Sequence, residues 1–511
     1  MTDWTSGYIA DIGYTFGYYS ELNPLRVKLA FLNAGLLCPE MGTACELGFG
    51  QGLSVNIHAA ASVTKWYGTD FNPAQAGFAQ ELSMASGCDA TLYDAAFDEF
   101  CNRVDLPDFD YIGLHGIWSW ISDYNRGVIV DFIRRKLKVG GVLYISYNTL
   151  PGWATFSPMR HLMTQHAEVI GSEGHGIVNR INGAIDFSEK LLATNPAFAR
   201  ANPLIADRIK KIKDQNRQYL AHEYFNKDWH PMHVATLADW LLPAKVSYAC
   251  SANYIDHFDS VNLTVEQHAF LKDISDPMFR ESVRDFMVNQ QFRKDYWVKG
   301  ARRLSALERV EVLRKQRVIL VHHRSDISLK VNGVLGEVRL SEEVYHPILD
   351  VLADYKAKTL GQIEHAVKEK GVGFGQVLQA SLLLAGSGQL AAVMEDGVIN
   401  KTRKHTEKLN SYIINKACGS SDIGYLASPV IGGAVIVSRF QQLFLLALNK
   451  GKKQSDEWAR FCWQILNDQG QKIIKDGTML ETPEDNLAEL ALQAANFSDK
   501  QLPILKSLLI A

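Results

Sequence analysis

The sequence has too few cysteines, in the wrong arrangement, to build a disulfide framework or a zinc site. The chain of 511 residues holds 7 cysteines, which are scattered without any Cys-x-x-Cys pair. An odd, dispersed set of this kind favours neither structure and is typical of a reducing compartment. The N-terminus also lacks a basic segment followed by an apolar run, so no signal peptide is expected. These absences predict a cytoplasmic location.

Long apolar runs and an excess of charge of one sign are absent as well. The most apolar stretch, residues 423–448, contains Pro429, a pair of glycines and Arg439. It therefore predicts a loop, a strand and a buried helix rather than a membrane span. A formal net charge of −3 argues against general attraction to nucleic acid or to acidic lipid. We expect neither a membrane span nor a nucleic-acid partner.

What the sequence does contain, between residues 25 and 150, is a regular alternation of strand-like and helix-like segments. The predicted strands are Ala44–Leu47, Lys65–Thr69, Ala90–Tyr93, Phe109–Leu114 and Val142–Tyr147, the last of them entered through a tight turn at Lys138–Gly141. Such alternation predicts a parallel, Rossmann-like α/β sheet with right-handed crossovers. Ligands bind such sheets at the carboxyl ends of the strands.

Beyond this sheet the pattern becomes mainly helical. Residues 158–216 and 265–300 are predicted to be helical, whereas 219–264 are mixed. Two strand-like segments at 318–321 and 327–331 precede three helical runs, which predicts a small winged-helix-like module, and the end of the chain is again helical. We therefore predict three domains, at residues 1–165, 166–310 and 311–511.

A glycine-rich loop directly follows the first predicted strand. It consists of Gly48-Phe49-Gly50-Gln51-Gly52 and is preceded by Glu46. Glycines let the backbone turn tightly and approach a ligand closely. A dinucleotide fingerprint would need another glycine where this chain has Leu53. The loop instead favours S-adenosylmethionine (SAM), whose cationic sulfonium and amino-acid tail suit a nearby carboxylate.

Two further acids, Asp70 and Asp94, end the second and third predicted strands. A carboxylate at the end of the second strand can accept hydrogen bonds from both hydroxyls of a ribose. Asp94 is expected near the adenine amino group. We predict that the three glycines of the loop bind SAM together with Glu46, Asp70 and Asp94, and that the chain is a methyltransferase.

The ends of the fourth and fifth predicted strands carry side chains suited to the wall of an acceptor pocket. His115 and Trp118 follow the fourth strand, and Tyr147 lies at the end of the fifth. The aromatic N-terminal segment 14–24, which includes Tyr19, could fold over the cofactor as a lid. We predict all four side chains as catalytic. An imidazole titrates near neutral pH, so His115 is either the base that activates the acceptor or a contact to the cofactor.

The glycine loop is accompanied by further motifs along the chain, namely His115-Gly116, Ser146-Tyr147-Asn148, His222-Glu223-Tyr224-Phe225-Asn226, Trp229-His230-Pro231-Met232 and Phe292-Arg293-Lys294-Asp295. With these motifs the chain resembles bacterial class I methyltransferases that carry a methyltransferase regulatory domain. The resemblance implies a SAM-binding domain, a middle domain that helps to shape the acceptor site, and a winged-helix-like C-terminal region. Members of this family include protein-lysine methyltransferases that modify bacterial outer-membrane proteins.

The leading hypothesis is therefore a SAM-dependent protein-lysine N-methyltransferase with a protein as its acceptor. Two alternatives stay open. One is an O- or N-methyltransferase that acts on a sugar or another small metabolite, and the other is a SAM-binding regulatory protein without catalysis. The group His222, Glu223, His230 and His233 does not have the spacing of a zinc site, so we expect no metal.

Overall fold

The computed structural model of the chain describes residues 7–9, 12–171, 174 and 176–511. The strands are β1 (Thr43–Leu47), β2 (Lys65–Asp70), β3 (Thr91–Asp94), β4 (Phe109–Leu114), β5 (Leu137–Asn148), β6 (Val246–Ser251), β7 (Phe292–Lys299), β8 (Arg317–Leu320), β9 (Lys330–Gly333), β10 (Gly336–Arg339), β11 (Lys358–Thr359), β12 (Leu390–Ala392), β13 (Tyr425–Ser428), β14 (Gly433–Ile436), β15 (Ile474–Lys475) and β16 (Thr478–Met479). The helices are α1 (Pro24–Asn33), α2 (Leu53–Ala61), α3 (Pro73–Ser86), α4 (Phe97–Cys101), α5 (Asp123–Lys136), α6 (Ser157–Val169), α7 (Gly176–Ala193), α8 (Ala197–Ala201), α9 (Ile205–Lys213), α10 (Arg217–Tyr224), α11 (Val234–Leu241), α12 (Asp259–Asn262), α13 (Val265–Lys272), α14 (Pro277–Met287), α15 (Ala306–Arg314), α16 (Glu342–Leu352), α17 (Leu360–Val367), α18 (Phe374–Gly386), α19 (Asp396–Lys416), α20 (Arg439–Asn449), α21 (Ser455–Asp468), α22 (Pro483–Asn496) and α23 (Leu502–Ser507).

A seven-stranded sheet with the order β3-β2-β1-β4-β5-β7-β6 forms the centre of the first part of the chain. Strands β1 to β5 pair in parallel, whereas β7 runs antiparallel to both β5 and β6. The predicted Rossmann-like sheet is thus confirmed. The strand order reverses between β1 and β4, so a ligand site is expected where the carboxyl ends of these two strands diverge.

The two antiparallel strands come from the predicted middle domain. The helical prediction for residues 265–300 is wrong over β7, which begins at Phe292. The reason is that β7 buries Arg293 and Asp295 as well as apolar side chains. The alternation of apolar and polar residues that marks a strand in a sequence is therefore hidden. The middle of the chain therefore completes the seven-stranded sheet rather than only following it.

The tight turn predicted at Lys138–Gly141 is also wrong. Strand β5 begins at Leu137 and passes through these residues without a turn. Gly140 has a φ of +85°, and the register between β4 and β5 shifts between Phe109 and Tyr111. The glycines are therefore accommodated by an irregularity within a continuous strand.

Helices from the middle and the end of the chain pack around this sheet. Helices α6, α7, α9 and α10 share an apolar core that includes Phe156, Met163, Ile181, Ile209 and Leu220. Helix α19 contacts both α2 and α3, so the C-terminal region is anchored on the helices that follow the glycine loop. None of the helices in the described ranges is both long and apolar enough to cross a membrane.

The C-terminal region also contains the predicted combination of short strands and helices. Strand β8 lies between β11 and β12 in a three-stranded sheet, and β9 pairs with β10 as a hairpin. Helices α16, α17 and α18 contact one another beside this sheet. The helical character of the region is confirmed, and its winged-helix-like identity stays a prediction.

Candidate active site

The glycine loop has a backbone that only glycine adopts without strain. Gly48, Gly50 and Gly52 have φ angles of +71°, +57° and +69°. This left-handed region disfavours residues with a Cβ atom. A Cβ on Gly52 would also stand 2.3 Å from the Cβ of Ala79 in α3. The loop therefore turns sharply from β1 into α2 and leaves its peptide groups close to the carboxyl edge of the sheet.

Two buried acids stand beneath this loop. Glu46 is 3% exposed, and within the described part of the chain its Oε2 atom has no hydrogen-bond partner. Burial, together with the charge of Asp70, raises the pKa of Glu46 to about 8. Asp70 accepts hydrogen bonds from the backbone N–H groups of Gly50 at 2.8 Å and Asn72 at 3.0 Å. Burial nevertheless raises the pKa of Asp70 to about 7.

Both acids are therefore harder to ionise than an exposed carboxyl group, because burial removes them from water. A cationic group beside an acid would favour its ionised form and lower its pKa. Asp94 lies opposite Asp70 in the register of β2 and β3 and is exposed at the sheet edge. The structure thus brings together all of the acids and glycines that the sequence predicts for the cofactor.

The N-terminal segment crosses over the glycine loop. Gln51 donates a hydrogen bond from Nε2 to the carbonyl oxygen of Tyr14. The ring of Tyr14 lies against Gly50, 3.4 Å from the position of a Cβ atom there. Farther along, the ring of Tyr19 stacks on His115 with 3.6 Å between ring centroids. These contacts place the segment where a lid would have to lie.

His115 stands between Tyr19 and the end of β5. Its Nδ1 atom is 2.8 Å from the hydroxyl of Tyr144. Burial lowers the pKa of His115 to about 3, although the charge of Glu21 acts in the opposite direction. An imidazole with so low a pKa is neutral at pH 7 and accepts a proton only weakly. This low pKa argues against the role of a base for His115, and its role as a contact to the cofactor stays a prediction.

Comparison with known proteins identifies the chain as a whole. Residues 216–299 match the family described as "Predicted methyltransferase regulatory domain". Protein sll1526 of Synechocystis sp. is 40% identical over 510 residues, which are 99% of each chain. The chain belongs to the class I methyltransferases that carry this regulatory domain. Protein RP789 of Rickettsia prowazekii is similar over a shorter length, with 25% identity across 55% of this methyltransferase and 51% of that protein.

A solved structure is similar to the methyltransferase over nearly its full length. The structure of PKMT2 from Rickettsia typhi in complex with AdoHcy covers 98% of this chain and 100% of that one. The TM-score is 0.70 and the sequence identity is 16%. At this identity the comparison is evidence for the fold, and it extends to the helical C-terminal region.

Trp118 and Tyr147, which the sequence predicts as catalytic, lie in the hydrophobic core. Trp118 is fully buried and donates a hydrogen bond from Nε1 to the sulfur of Met232. Tyr147 is also fully buried, and its hydroxyl donates to Asp295 at 2.9 Å. Successive side chains of a strand point to opposite faces of a sheet. Tyr147 therefore points away from the face that carries Tyr144, and both predictions are corrected to core residues.

The same alternation places Asn148 on the face of β5 that carries Tyr144. This residue is not among those predicted for the site. Asn148, the last residue of β5, donates a hydrogen bond from Nδ2 to Oε1 of Glu223 at 3.4 Å. Burial raises the pKa of Glu223 to about 7, and the hydrogen bond from Asn148 opposes this shift. Both residues belong to motifs that carry the family resemblance. Their place in these motifs indicated that both residues matter, but the sequence alone did not show that the two motifs are in contact.

The His222, Glu223, His230 and His233 group does not converge in the methyltransferase. The Nε2 atom of His222 is 3.1 Å from the carbonyl oxygen of Ile12. His233 instead stacks on Phe286. Among the described residues, no three or more His, Cys, Asp or Glu side chains are grouped to hold a metal ion.

Proposed function

We propose that this methyltransferase transfers a methyl group from SAM to a lysine side chain of a protein. The observation that carries the SAM site is the pair of buried acids, Glu46 and Asp70, beneath a glycine loop at the switch point of the sheet. Support for the acceptor comes from PKMT2, whose name designates a protein lysine methyltransferase and whose structure holds AdoHcy.

The residues present suit SAM. The buried Oε2 atom of Glu46, which has no hydrogen-bond partner among the described residues, would attract the cationic amino-acid tail. Asp70 would accept hydrogen bonds from the ribose hydroxyls. Asp94 would lie towards the adenine, and the glycines Gly48, Gly50 and Gly52 would let the backbone approach closely. SAM would supply an electrophilic methyl group. The chain's own part is to align the acceptor with that group and to exclude water.

The domain arrangement forms part of this proposal. Residues 1–165 would bind SAM, residues 166–310 would shape the acceptor site, and residues 311–511 would support both. The strands β6 and β7 and the helix α10 all come from the middle range. A site shared in this way would offer a surface large enough to recognise a protein.

Incubation with tritiated SAM and fractionated cell extract tests the function. We expect label in a protein band, and we expect acid hydrolysis of that band to release N-methyllysine. A heat-inactivated chain is the control. Label that appears only in small solutes would replace the proposal with a metabolite methyltransferase. SAM binding without any transfer would indicate a regulatory protein.

The affinity for SAM is expected to depend on pH. Because the pKa of Glu46 in the ligand-free chain is about 8, the carboxyl is mostly protonated at pH 6 and increasingly ionised towards pH 7.5. The ionised form attracts a cation, so the dissociation constant should fall by roughly 10-fold over this range, with proton release on binding. Calorimetric titration at several pH values measures both quantities. A Glu46→Gln variant should lose the part of the proton release that this carboxyl supplies, while Asp70, whose pKa is about 7, continues to titrate. Proton release equal to that of the wild type would refute the assignment of Glu46.

Replacement of His115 by Ala is expected to lower turnover about 10-fold while the dissociation constant for SAM changes less than about twofold. The change removes the ring on which Tyr19 stacks and so loosens the acceptor wall, and misalignment mainly slows the reaction step. Steady-state kinetics and equilibrium dialysis give the two numbers. Since the pKa of His115 is about 3, the pH profile between pH 5 and 8 should keep the same inflection. An unchanged turnover would remove His115 from the site.

A further inference from the structure

The regulatory domain places a carboxyl group at the carboxyl edge of the catalytic sheet. Glu223 lies near the end of α10, within the range matched by the family. Its carboxyl group accepts from Asn148, which ends β5. Its backbone carbonyl accepts a hydrogen bond from Nε1 of Trp120, just beyond β4, at 3.1 Å. Two groups of the catalytic domain therefore hold both the backbone and the side chain of this acid.

The orientation of Asn148 is determined by its other partners. Its Oδ1 atom accepts a hydrogen bond from Nε1 of Trp153 at 3.0 Å, and its backbone N–H donates to Oγ of Ser119 at 2.8 Å. An indole N–H can only donate, so the oxygen of the amide must face Trp153. The amide NH₂ then faces Glu223 and stabilises the ionised carboxylate.

Tyrosine side chains link Glu223 to the proposed cofactor site. The charge of Glu223 contributes to raising the pKa values of Tyr8, Tyr14 and Tyr219, after the larger effect of burial. The pKa of Tyr8 also responds to the charge of Asp70. The rings of Tyr8 and Tyr14 pack against His222, the residue before Glu223, with 5.4 and 5.0 Å between ring centroids. Tyr14 also lies against Gly50 of the glycine loop, so it connects the surroundings of Glu223 to the proposed cofactor site.

Among the residues that the structure describes, Glu223 forms no ion pair with a cationic side chain. The charges of Arg208 and Arg160 reach it and lower its pKa, but both arginines are engaged elsewhere. The guanidinium of Arg208 lies over the rings of Trp153 and Phe156, at 4.4 and 4.2 Å from their centroids. Arg160 donates from Nε to the carbonyl oxygen of Tyr224. A partly exposed carboxylate next to His222, on which the rings of Tyr8 and Tyr14 pack, suits a mobile cation with an apolar stem.

We propose that Glu223 receives the ammonium group of the acceptor lysine and takes its proton before the methyl group is transferred. The inference rests on the proposed function and gives the regulatory domain a direct part in the reaction. Tyr8, Tyr14 and Tyr219 surround the methylene stem and the nitrogen of the lysine, and Tyr19 with His115 forms the wall on the other side.

The proposed step balances in protons and electrons. A lysine ammonium has no lone pair, so one proton passes first from its nitrogen to the carboxylate of Glu223. The neutral amine then forms a C–N bond with the methyl carbon, while the C–S bond breaks and its electron pair stays on sulfur. The products are AdoHcy and a methylammonium group, and the proton on Glu223 passes to water.

The electrostatic setting of Glu223 suits this step. An ordinary glutamate has a pKa of about 4.3 and a lysine ammonium one of about 10.4, so proton transfer between them is strongly uphill. Because burial raises the pKa of Glu223 to about 7, roughly half of that gap is removed. The carboxyl is still ionised in about half of the molecules at pH 7, which is the compromise that a general base needs.

Kinetics of a Glu223→Gln variant test the proton transfer. We expect kcat/KM at pH 7 to fall about 100-fold, the lower range for loss of a general base. The ascending limb of the wild-type pH profile near pH 7 should move above pH 9 in the variant, because only lysine that is already neutral can then react. Glu223→Asp should recover part of the activity and the limb near neutral pH. The acceptor is the extract fraction that the wild type labels, and wild-type kinetics in Glu223→Gln would overturn the proposal.

A binding measurement separates failure of this inference from failure of the proposed function. The probe is n-butylammonium, which copies the end of a lysine side chain, with 1-pentanol as its neutral counterpart, added to the AdoHcy-loaded full chain and followed by saturation-transfer NMR. We expect binding of the ammonium ion by the wild type and by Glu369→Gln, an exposed control, and at least a fivefold loss in Glu223→Gln. AdoHcy affinity should stay constant throughout.

The outcomes are distinct. If the wild type binds the ammonium probe through Glu223 but labels no protein lysine, the proposed function fails and the amine site stands. If the wild type labels protein lysine but Glu223→Gln binds the probe and reacts as the wild type does, the role of Glu223 fails alone. Absence of probe binding by the wild type also overturns the amine site.

Discussion

Replacement of Asp70 by Asn is expected to weaken SAM binding by a factor of 100 to 1,000. In the ligand-free chain Asp70 accepts from the backbone N–H groups of Gly50 and Asn72. The ribose hydroxyls would add two charge-assisted hydrogen bonds. An asparagine has only one accepting oxygen, and hydrogen bonds to a charged group contribute about 1.5–3 kcal/mol each. Loss of two such bonds corresponds to about 3–4 kcal/mol, which gives this factor in the dissociation constant.

Calorimetric titration with SAM measures the effect, and thermal unfolding shows whether the fold is intact. Burial raises the pKa of Asp70 to about 7, so its charge is costly without a ligand. The neutral Asn removes this cost, but its NH₂ group faces one of the two backbone N–H donors. Because these effects oppose each other, the Tm of the protein without SAM should stay within about 5 °C of the wild type. Asp89→Asn, an exposed change in the turn before β3, should bind SAM as the wild type does. Wild-type affinity in Asp70→Asn would contradict the whole cofactor assignment.

Replacement of Arg293 by Met is expected to destabilise the catalytic sheet by about 3–5 kcal/mol, the usual cost of removing one partner from a buried ion cluster. Arg293 on β7 pairs with Asp285, Asp295 and Glu281 at 2.6, 2.8 and 2.9 Å. Arg293, Asp285 and Asp295 are each less than 5% exposed. Without the guanidinium, these carboxylates would be buried without a counter-charge.

The expected consequence is a fall in Tm of roughly 10 °C for the domain that contains the sheet. The fall in Tm that the substitution causes should be smaller at pH 5 than at pH 8. Burial raises the pKa of Asp285 to about 7 even with Arg293 present, so the unpaired acids of the variant are protonated and neutral at the lower pH. Arg302→Met, an exposed change just after β7, is the matched control. An equal fall in Tm at both pH values would show that Arg293 stabilises the sheet by packing and not by its charge.

The parts of the structure that sequence predicts well are those encoded locally. The loop of Gly48, Gly50 and Gly52 needs positive φ angles that glycine alone supplies without strain. The acids Glu46 and Asp70 stand at strand ends whose apolar residues mark them clearly. For these reasons the cofactor half of the site is visible in the sequence.

The proposed acceptor half of the site is not encoded locally. Asn148 and Glu223 meet across 75 positions in the chain, and nothing near either residue predicts the contact. Trp118 and Tyr147 were predicted for the site because they lie at strand ends. Which face a side chain takes depends on register, and a shift of one residue exchanges the two faces. Strand β7 was missed because its buried face includes an ion cluster, so its polarity resembles that of a surface segment.

Strand β7 lies between β5 and β6 in the sheet but follows both in the chain. The sheet can therefore be completed only after β7 has been synthesised. A ribosome adds about 5–20 residues per second, so roughly 7–30 s pass between the emergence of Asn148 and that of Phe292. During this interval the outer edge of β5 has no partner strand, and an open edge is where chains aggregate. The nascent chain can form its glycine loop well before α10 brings Glu223 to it. The part of the chain proposed to bind the methyl donor is therefore synthesised first, α10 with Glu223 follows, and β7 closes the sheet last.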